Sequence, residues 1–129
     1  MIKQIELIKR KQNLSREAFS RHYEEVFAPL MLTSSPSIKR YVRNHIISPL
    51  AGGEPDFDCV TEVWFEDMDG FKANVKLYGS EAGKVIRDEL EKFVDTSKIV
   101  AFLVQETVTQ GSTRRLGRTC QRRPNRYRG

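Results

Sequence analysis

FDCVTEVWFE, residues 57–66, gathers Val60, Val63, Trp64 and Phe65 into ten positions free of Pro and Gly, and reads as a β-strand. Its period of two puts Val60, Glu62 and Trp64 on one face and Thr61, Val63 and Phe65 on the other. Working back toward the N-terminus, SPLAGGEPD (48–56) is a Pro/Gly loop long enough to form a rim or lid, and IKRYVRNHII (38–47) reads as another strand. SSPS (34–37) breaks the chain. Before it, SREAFSRHYEEVFAPL (15–30) carries Phe19, His22/Tyr23, Val26 and Leu30 at helical spacing. Ser15 is a suitable N-cap, Leu14 and Phe19 suit a hydrophobic staple, and Pro29 is expected to end the helix. IKQIELIKR (2–10) reads as the first strand.

Toward the C-terminus, residues 67–78 and 80–94 read as two helices capped by Asp67 and Ser80 and divided at Gly79. SKIVAFLVQETV (97–108) is the last strand. The order β-α-β-β-α(α)-β is that of an α+β, ferredoxin-like split βαβ unit, an antiparallel sheet with its helices on one face. Such a sheet leaves its other face bare, and an apolar bare face needs a partner. Two copies packed sheet to sheet give a dimeric α/β barrel, with a small-molecule hollow expected between them.

A chain of 129 residues implies one domain, read as 1–110, and leaves little room for a deep cavity inside one subunit. The net charge of +5 comes from residues 111–129, which hold seven Arg and no acid; without them 15 Lys+Arg face 17 Asp+Glu, a net of −2. That tail has no periodicity and is expected to be disordered, and it lacks the aromatics of a nucleic-acid stacking platform. No specific nucleic-acid partner is therefore expected. No apolar run reaches the roughly 20 residues of a membrane span, and the N-terminus does not read as a signal peptide, so a cytoplasmic protein without membrane contact is the expectation. Cys59 and Cys120 form no metal-ligand spacing, and Cys59 reads as a core residue. No phosphate loop, HExxH, CxxC or nucleophile elbow occurs, and no metal is expected.

Phe19-x-x-His22-Tyr23, Arg40-Tyr41-Val42-x-Asn44-His45, FDCVTEVWFED and Phe93-Val94-Asp95, in this order over residues 1–110, resemble the EthD-like proteins of the dimeric α+β barrel superfamily. The resemblance implies a homodimer with a pocket for a small organic molecule, and a pocket role for Tyr41 and His45. The chain departs from the family at Phe27, where relatives usually carry a second histidine five residues after the first. If the relatives' chemistry uses that histidine, His22, His45 or a carboxylate must replace it here.

The candidate catalytic residues are His22, Tyr41, His45 and Glu62. An imidazole takes and returns protons near neutral pH, although a helix histidine such as His22 also fits a surface hydrogen bond. Tyr41, Arg43 and His45 share one side of their strand, where a phenol and an imidazole would polarise a carbonyl. Glu62, between Val60 and Trp64 on its face, is either ion-paired or desolvated into a general acid. Phe19, Tyr23, Phe27 and Trp64 are the candidate substrate contacts. Glu24 and Glu25 read as a solvated face, and Asp95 as a turn cap. These residues point to a cofactor-independent isomerase, cyclase or lyase acting on a small, partly apolar carbonyl or aromatic metabolite. The alternatives are a monooxygenase, cofactor-free or haem-assisted through His22 or His45, and a non-catalytic ligand-binding protein.

Overall fold

The structure, a computed structural model, describes residues 1–112; the expectation for the basic tail falls, from residue 113 onward, outside them. Four strands, β1 (Ile2–Ile8), β2 (Ile38–His45), β3 (Cys59–Phe65) and β4 (Val100–Val104), form one antiparallel sheet in the order β2-β3-β1-β4. Helices α1 (Arg16–His22) and α2 (Ala28–Ser34) join β1 to β2, and α3 (Met68–Gly79) and α4 (Lys84–Glu91) join β3 to β4. This is the α+β, ferredoxin-like arrangement.

Ser15 caps α1 by accepting the Ala18 N–H at 3.0 Å, and Asp67 caps α3 by accepting that of Gly70 at 3.0 Å. The last helix begins later than expected. Ser80 holds a turn by accepting the Gly83 N–H at 3.2 Å, and α4 starts only after Gly83. Gly83 fits because a Cβ there would lie 2.1 Å from the Leu77 carbonyl oxygen. Pro29 does not stop the first helical stretch. A π-helical turn, Tyr23–Phe27, lies between α1 and α2, with the Ala28 N–H donating to the Tyr23 carbonyl five residues back. Pro29 then falls in the first turn of α2, where a missing N–H costs little.

In β3, Cys59, Thr61, Val63 and Phe65 are buried under the helices, while Val60, Glu62 and Trp64 face the other way. Residues directly opposite one another share a face. The register therefore puts Gln4, Glu6 and Ile8 of β1 and Tyr41, Arg43 and His45 of β2 on the helix side. Ile5, Leu7, Val42, Val60, Trp64, Val100 and Phe102 lie on the open face, where Val100 and Phe102 are exposed.

An aromatic group centres the core. The Phe93 ring sits 5.5, 5.3 and 5.4 Å from those of Phe19, Tyr23 and Phe27. Its neighbours stitch the end of α4 to the end of β1: the Phe93 carbonyl accepts the Lys11 N–H at 3.0 Å, and the Asp95 N–H donates to the Lys9 carbonyl at 2.8 Å. The Asp95 carboxylate accepts from Ser97 Oγ at 2.6 Å and Ser97 N at 3.2 Å, the expected turn cap. Asp58, its side chain 3% exposed, gathers Arg10 Nη1 at 3.0 Å and Arg16 Nε at 3.2 Å, pinning the start of α1 to β3.

Candidate functional site

The π-helical turn positions the site. An i→i−5 turn sets residues four apart nearly above one another, so Tyr23 and Phe27 both reach the sheet. Between these helices and the sheet lies a cavity of about 350 Å³, within the size range of small-ligand sites. Its walls are mostly apolar, with Ile8, Phe27, Met31, Val63 and Leu90 among them. Its polar groups are Gln4, Glu6, Tyr23, Tyr41, Asn74 and Tyr78. A larger trough of about 730 Å³ beside Lys11–Asn13 and Asp95–Ser97 is open and dominated by polar side chains; it does not enclose a ligand.

Glu6 is the distinctive group. Burial pushes its carboxyl from the ordinary 4.5 up to about 7, against the Gln4 side-chain amide, which donates to Oε2 at 2.7 Å. Tyr41 donates its hydroxyl to Tyr23 Oη at 3.4 Å, and Tyr23 shares a 2.6 Å hydrogen bond with Thr61 Oγ1. Burial raises both phenols, so they stay protonated. Asn74 accepts Ser35 Oγ on Oδ1 at 2.5 Å, which leaves its amide N–H groups for the cavity.

The raised Glu6 pKa makes a stability prediction. Between pH 4.5 and about 7 the folded chain keeps a proton that the unfolded chain releases, so stability falls as pH rises through this window. The full penalty above it is about 3 kcal/mol. Urea titrations at pH 5 and 8.5 should show Glu6→Gln gaining on wild type by up to about this amount at the higher pH; an unchanged difference contradicts it.

The sequence candidates divide between the two faces of the sheet. Tyr23, Phe27 and Tyr41 line the cavity, and Phe19 is core behind it, 1% exposed. Glu62 and Trp64 lie on the open face. There Glu62 pairs with Lys3 Nζ at 2.6 Å and accepts from Asn44 Nδ2 at 2.7 Å, and Lys3 foremost holds its carboxyl below the usual range. Of the two readings of Glu62, the ion pair is the one observed. Trp64 is flanked by Lys3 and Arg40, 4.5 and 4.7 Å from its ring.

His22 and His45 are outside the cavity lining. His22 Nε2 lies 2.7 Å from Glu89 Oε2, with its ring 4.8 Å from Phe93, joining α1 to α4. His45 contacts Glu24 Oε2 through Nε2 at 2.7 Å and Ser20 Oγ through Nδ1 at 3.3 Å. Glu24 lies on the exposed helix face, as expected, yet it is paired there: Arg43, at 2.7 and 3.0 Å, and His45 bring its carboxyl down to about 2. Ser20, His45 and Glu24 have the connectivity of a hydrolytic triad. Ser20, however, sits within α1, whose N–H groups are spent along the helix and offer no oxyanion hole. Neither imidazole stands as an axial ligand for a haem seated in the cavity. Among the described residues, no three His, Cys, Asp or Glu side chains are placed to hold a metal ion, and no helix is long and apolar enough to cross a membrane. Cys59 is fully buried, and desolvation pushes its thiol up to about 11, far from a reactive thiolate. No residue of the 48–56 loop lines the cavity.

Sequence reasoning missed Glu6, because IKQIELIKR mixes apolar and charged residues and reads as a strand without either face marked as covered. The available signal was that Gln4 and Glu6 fall on one face, in a fold that covers one face with helices.

No curated protein matches the chain in sequence. Among solved structures, the chain is similar to an ethyl tert-butyl ether degradation (EthD) family protein of Bacillus halodurans, at 18% identity and TM-score 0.61, covering 83% of this chain and 100% of that one. It is also similar to an EthD-like protein of Ralstonia eutropha, at 18% identity and TM-score 0.59, covering 88% and 97%. A third is a dimeric, ferredoxin-like protein of unknown function from Bacteroides fragilis, at 13% identity and TM-score 0.57, covering 81% and 95%. Residues 11–97, which include the helical segments that wall the cavity, match the EthD domain model, and the chain belongs to the EthD family.

Proposed function

We propose that this chain is a cofactor-independent acid–base catalyst, an isomerase, cyclase or lyase, that acts on a small carbonyl-containing or aromatic metabolite held between the helices and the sheet. The observation that carries the reading is the carboxyl of Glu6 in a mostly apolar cavity, where burial raises its pKa to about 7. Glu6 as carboxylate takes a proton from the carbon beside the carbonyl. The Asn74 amide and the Tyr78 hydroxyl donate to the oxygen as charge builds on it. The Glu6 acid then returns the proton at another carbon, completing an isomerisation, or gives it to a leaving group as the bond to that group breaks, completing an elimination. The hydrogen-bonded Tyr41, Tyr23 and Thr61 hold the wall opposite in one arrangement. In this reading Glu6 takes the part of the histidine that relatives carry in the Phe27 slot.

We place the active protein as a homodimer, with the open sheet face of one copy covered by that of a second. Exposed Val100 and Phe102 favour cover, and the Bacteroides fragilis neighbour is described as dimeric.

The experiment is exchange of α-carbon protons for deuterium in D₂O across aryl ketones and lactones, followed by proton NMR. Exchange well above the buffer rate, lost in Glu6→Gln, supports the reading; buffer-level exchange across the panel overturns it. Phe27 in the histidine slot favours a second reading, a binding protein, whose signature is ligand affinity with no exchange.

A further inference from the structure

The charges around the cavity limit what enters it. Among the described residues, Glu6 is the single charged residue in its lining. Nearby cations are committed elsewhere. Arg43 makes a two-pronged pair with Glu24, Arg87 donates to the Tyr78 and Ser80 carbonyls, and Lys3 serves Glu62 and Glu106 on the opposite sheet face. An anionic ligand therefore meets a carboxylate and no counter-charge, in surroundings where like charges repel more strongly than in water. A cationic ligand fares little better. A buried ammonium needs three well-placed acceptors, and Asn74 Oδ1 and one oxygen of Glu6 each already hold one donor, from Ser35 and from Gln4. Glu6 Oε1, the Gln4 amide oxygen, the Asn74 amide and the Tyr78 hydroxyl remain, and they match a molecule that offers one N–H or O–H and one or two oxygens.

We propose that Glu6 acts as a charge filter as well as a reacting group: the site takes uncharged ligands bearing a hydroxyl or amide donor and rejects carboxylates. The inference rests on the reading that this cavity is the small-molecule site, and it defines the substrate as a neutral hydroxylated ketone or lactone, a phenol or an amide. An acid would have to arrive esterified, lactonised or amidated.

The test uses three near-isosteric phenols with the full chain at pH 8.5: neutral 4-hydroxyphenylacetamide, anionic 4-hydroxyphenylacetate and cationic tyramine, measured by titration calorimetry. Wild type should bind the amide at least about 30-fold more tightly than the carboxylate, with tyramine no tighter than the amide. Glu6→Gln, nearly isosteric, should shrink the amide-to-carboxylate gap to a few-fold. A wild-type gap below about 30-fold, a gap that survives Glu6→Gln, or tyramine binding most tightly overturns the proposal. Failure of all three to bind tells against the cavity as a ligand site and takes this proposal with it. Amide binding without α-proton exchange leaves the filter standing and removes the catalytic reading alone.

Discussion

Glu6→Gln lowers the rate of α-proton exchange about 10²- to 10⁴-fold, the range expected for loss of a positioned acid–base group. Gln keeps the shape of Glu, so the cavity and its walls persist, and the variant should lie at or above wild type in stability above pH 7. Ligand affinity should change only a few-fold, which places the loss in kcat rather than KM. The pH profile carries a second sign. The carboxylate is the base, so wild-type exchange should rise through about pH 7, where Glu6 loses its proton. The competing assignment is His22, the imidazole to which the sequence first points. His22→Gln breaks a contact with Glu89 on α4. If it, and not Glu6→Gln, abolishes exchange, the proton-transfer role belongs to the helix histidine.

Phe93→Ala should cost about 3–5 kcal/mol of folding stability, the usual loss for emptying a buried aromatic site. Phe93 is 1% exposed and touches the three rings, Phe19, Tyr23 and Phe27, that link the α1–α2 stretch to the core. Against a typical total of about 5–15 kcal/mol, this brings the variant close to unfolding. The wall of the cavity that carries Tyr23 and Phe27 depends on the same ring, so ligand affinity should fall with stability. Urea unfolding at fixed pH measures the first effect and calorimetry with 4-hydroxyphenylacetamide the second. A loss below about 1 kcal/mol contradicts the central position given to Phe93.

Element order and face-sharing were legible in the sequence because both follow from periods of 2 and 3.6. Val60, Glu62 and Trp64 do share a face, as do Tyr41, Arg43 and His45. Which of those faces the helices cover was not legible. That depends on how the connections pack, and both faces of β3 carry large apolar side chains. Hence the candidate set straddles the sheet, with Tyr41 on one side and Glu62 and Trp64 on the other. The hollow expected between two copies has its counterpart inside one chain, roofed by Phe27 and Met31. Pro29 misled for a related reason. A proline ends a regular helix, but a π-helical turn before it moves the missing N–H into a first turn, where it is tolerated. Glu6 stayed hidden because desolvation is a property of the assembled cavity. No spacing within IKQIELI distinguishes a carboxylate facing water from one facing Tyr23, Tyr41 and Tyr78.

The most direct measurement is a crystal structure of the protein with 4-hydroxyphenylacetamide at saturating concentration. Ligand density between the helices and the sheet, within hydrogen-bond distance of Glu6, is the expected result. Density lodged instead among Ile5, Leu7, Trp64 and Phe102 between the open faces of two copies, with the helix-side cavity empty, would contradict it.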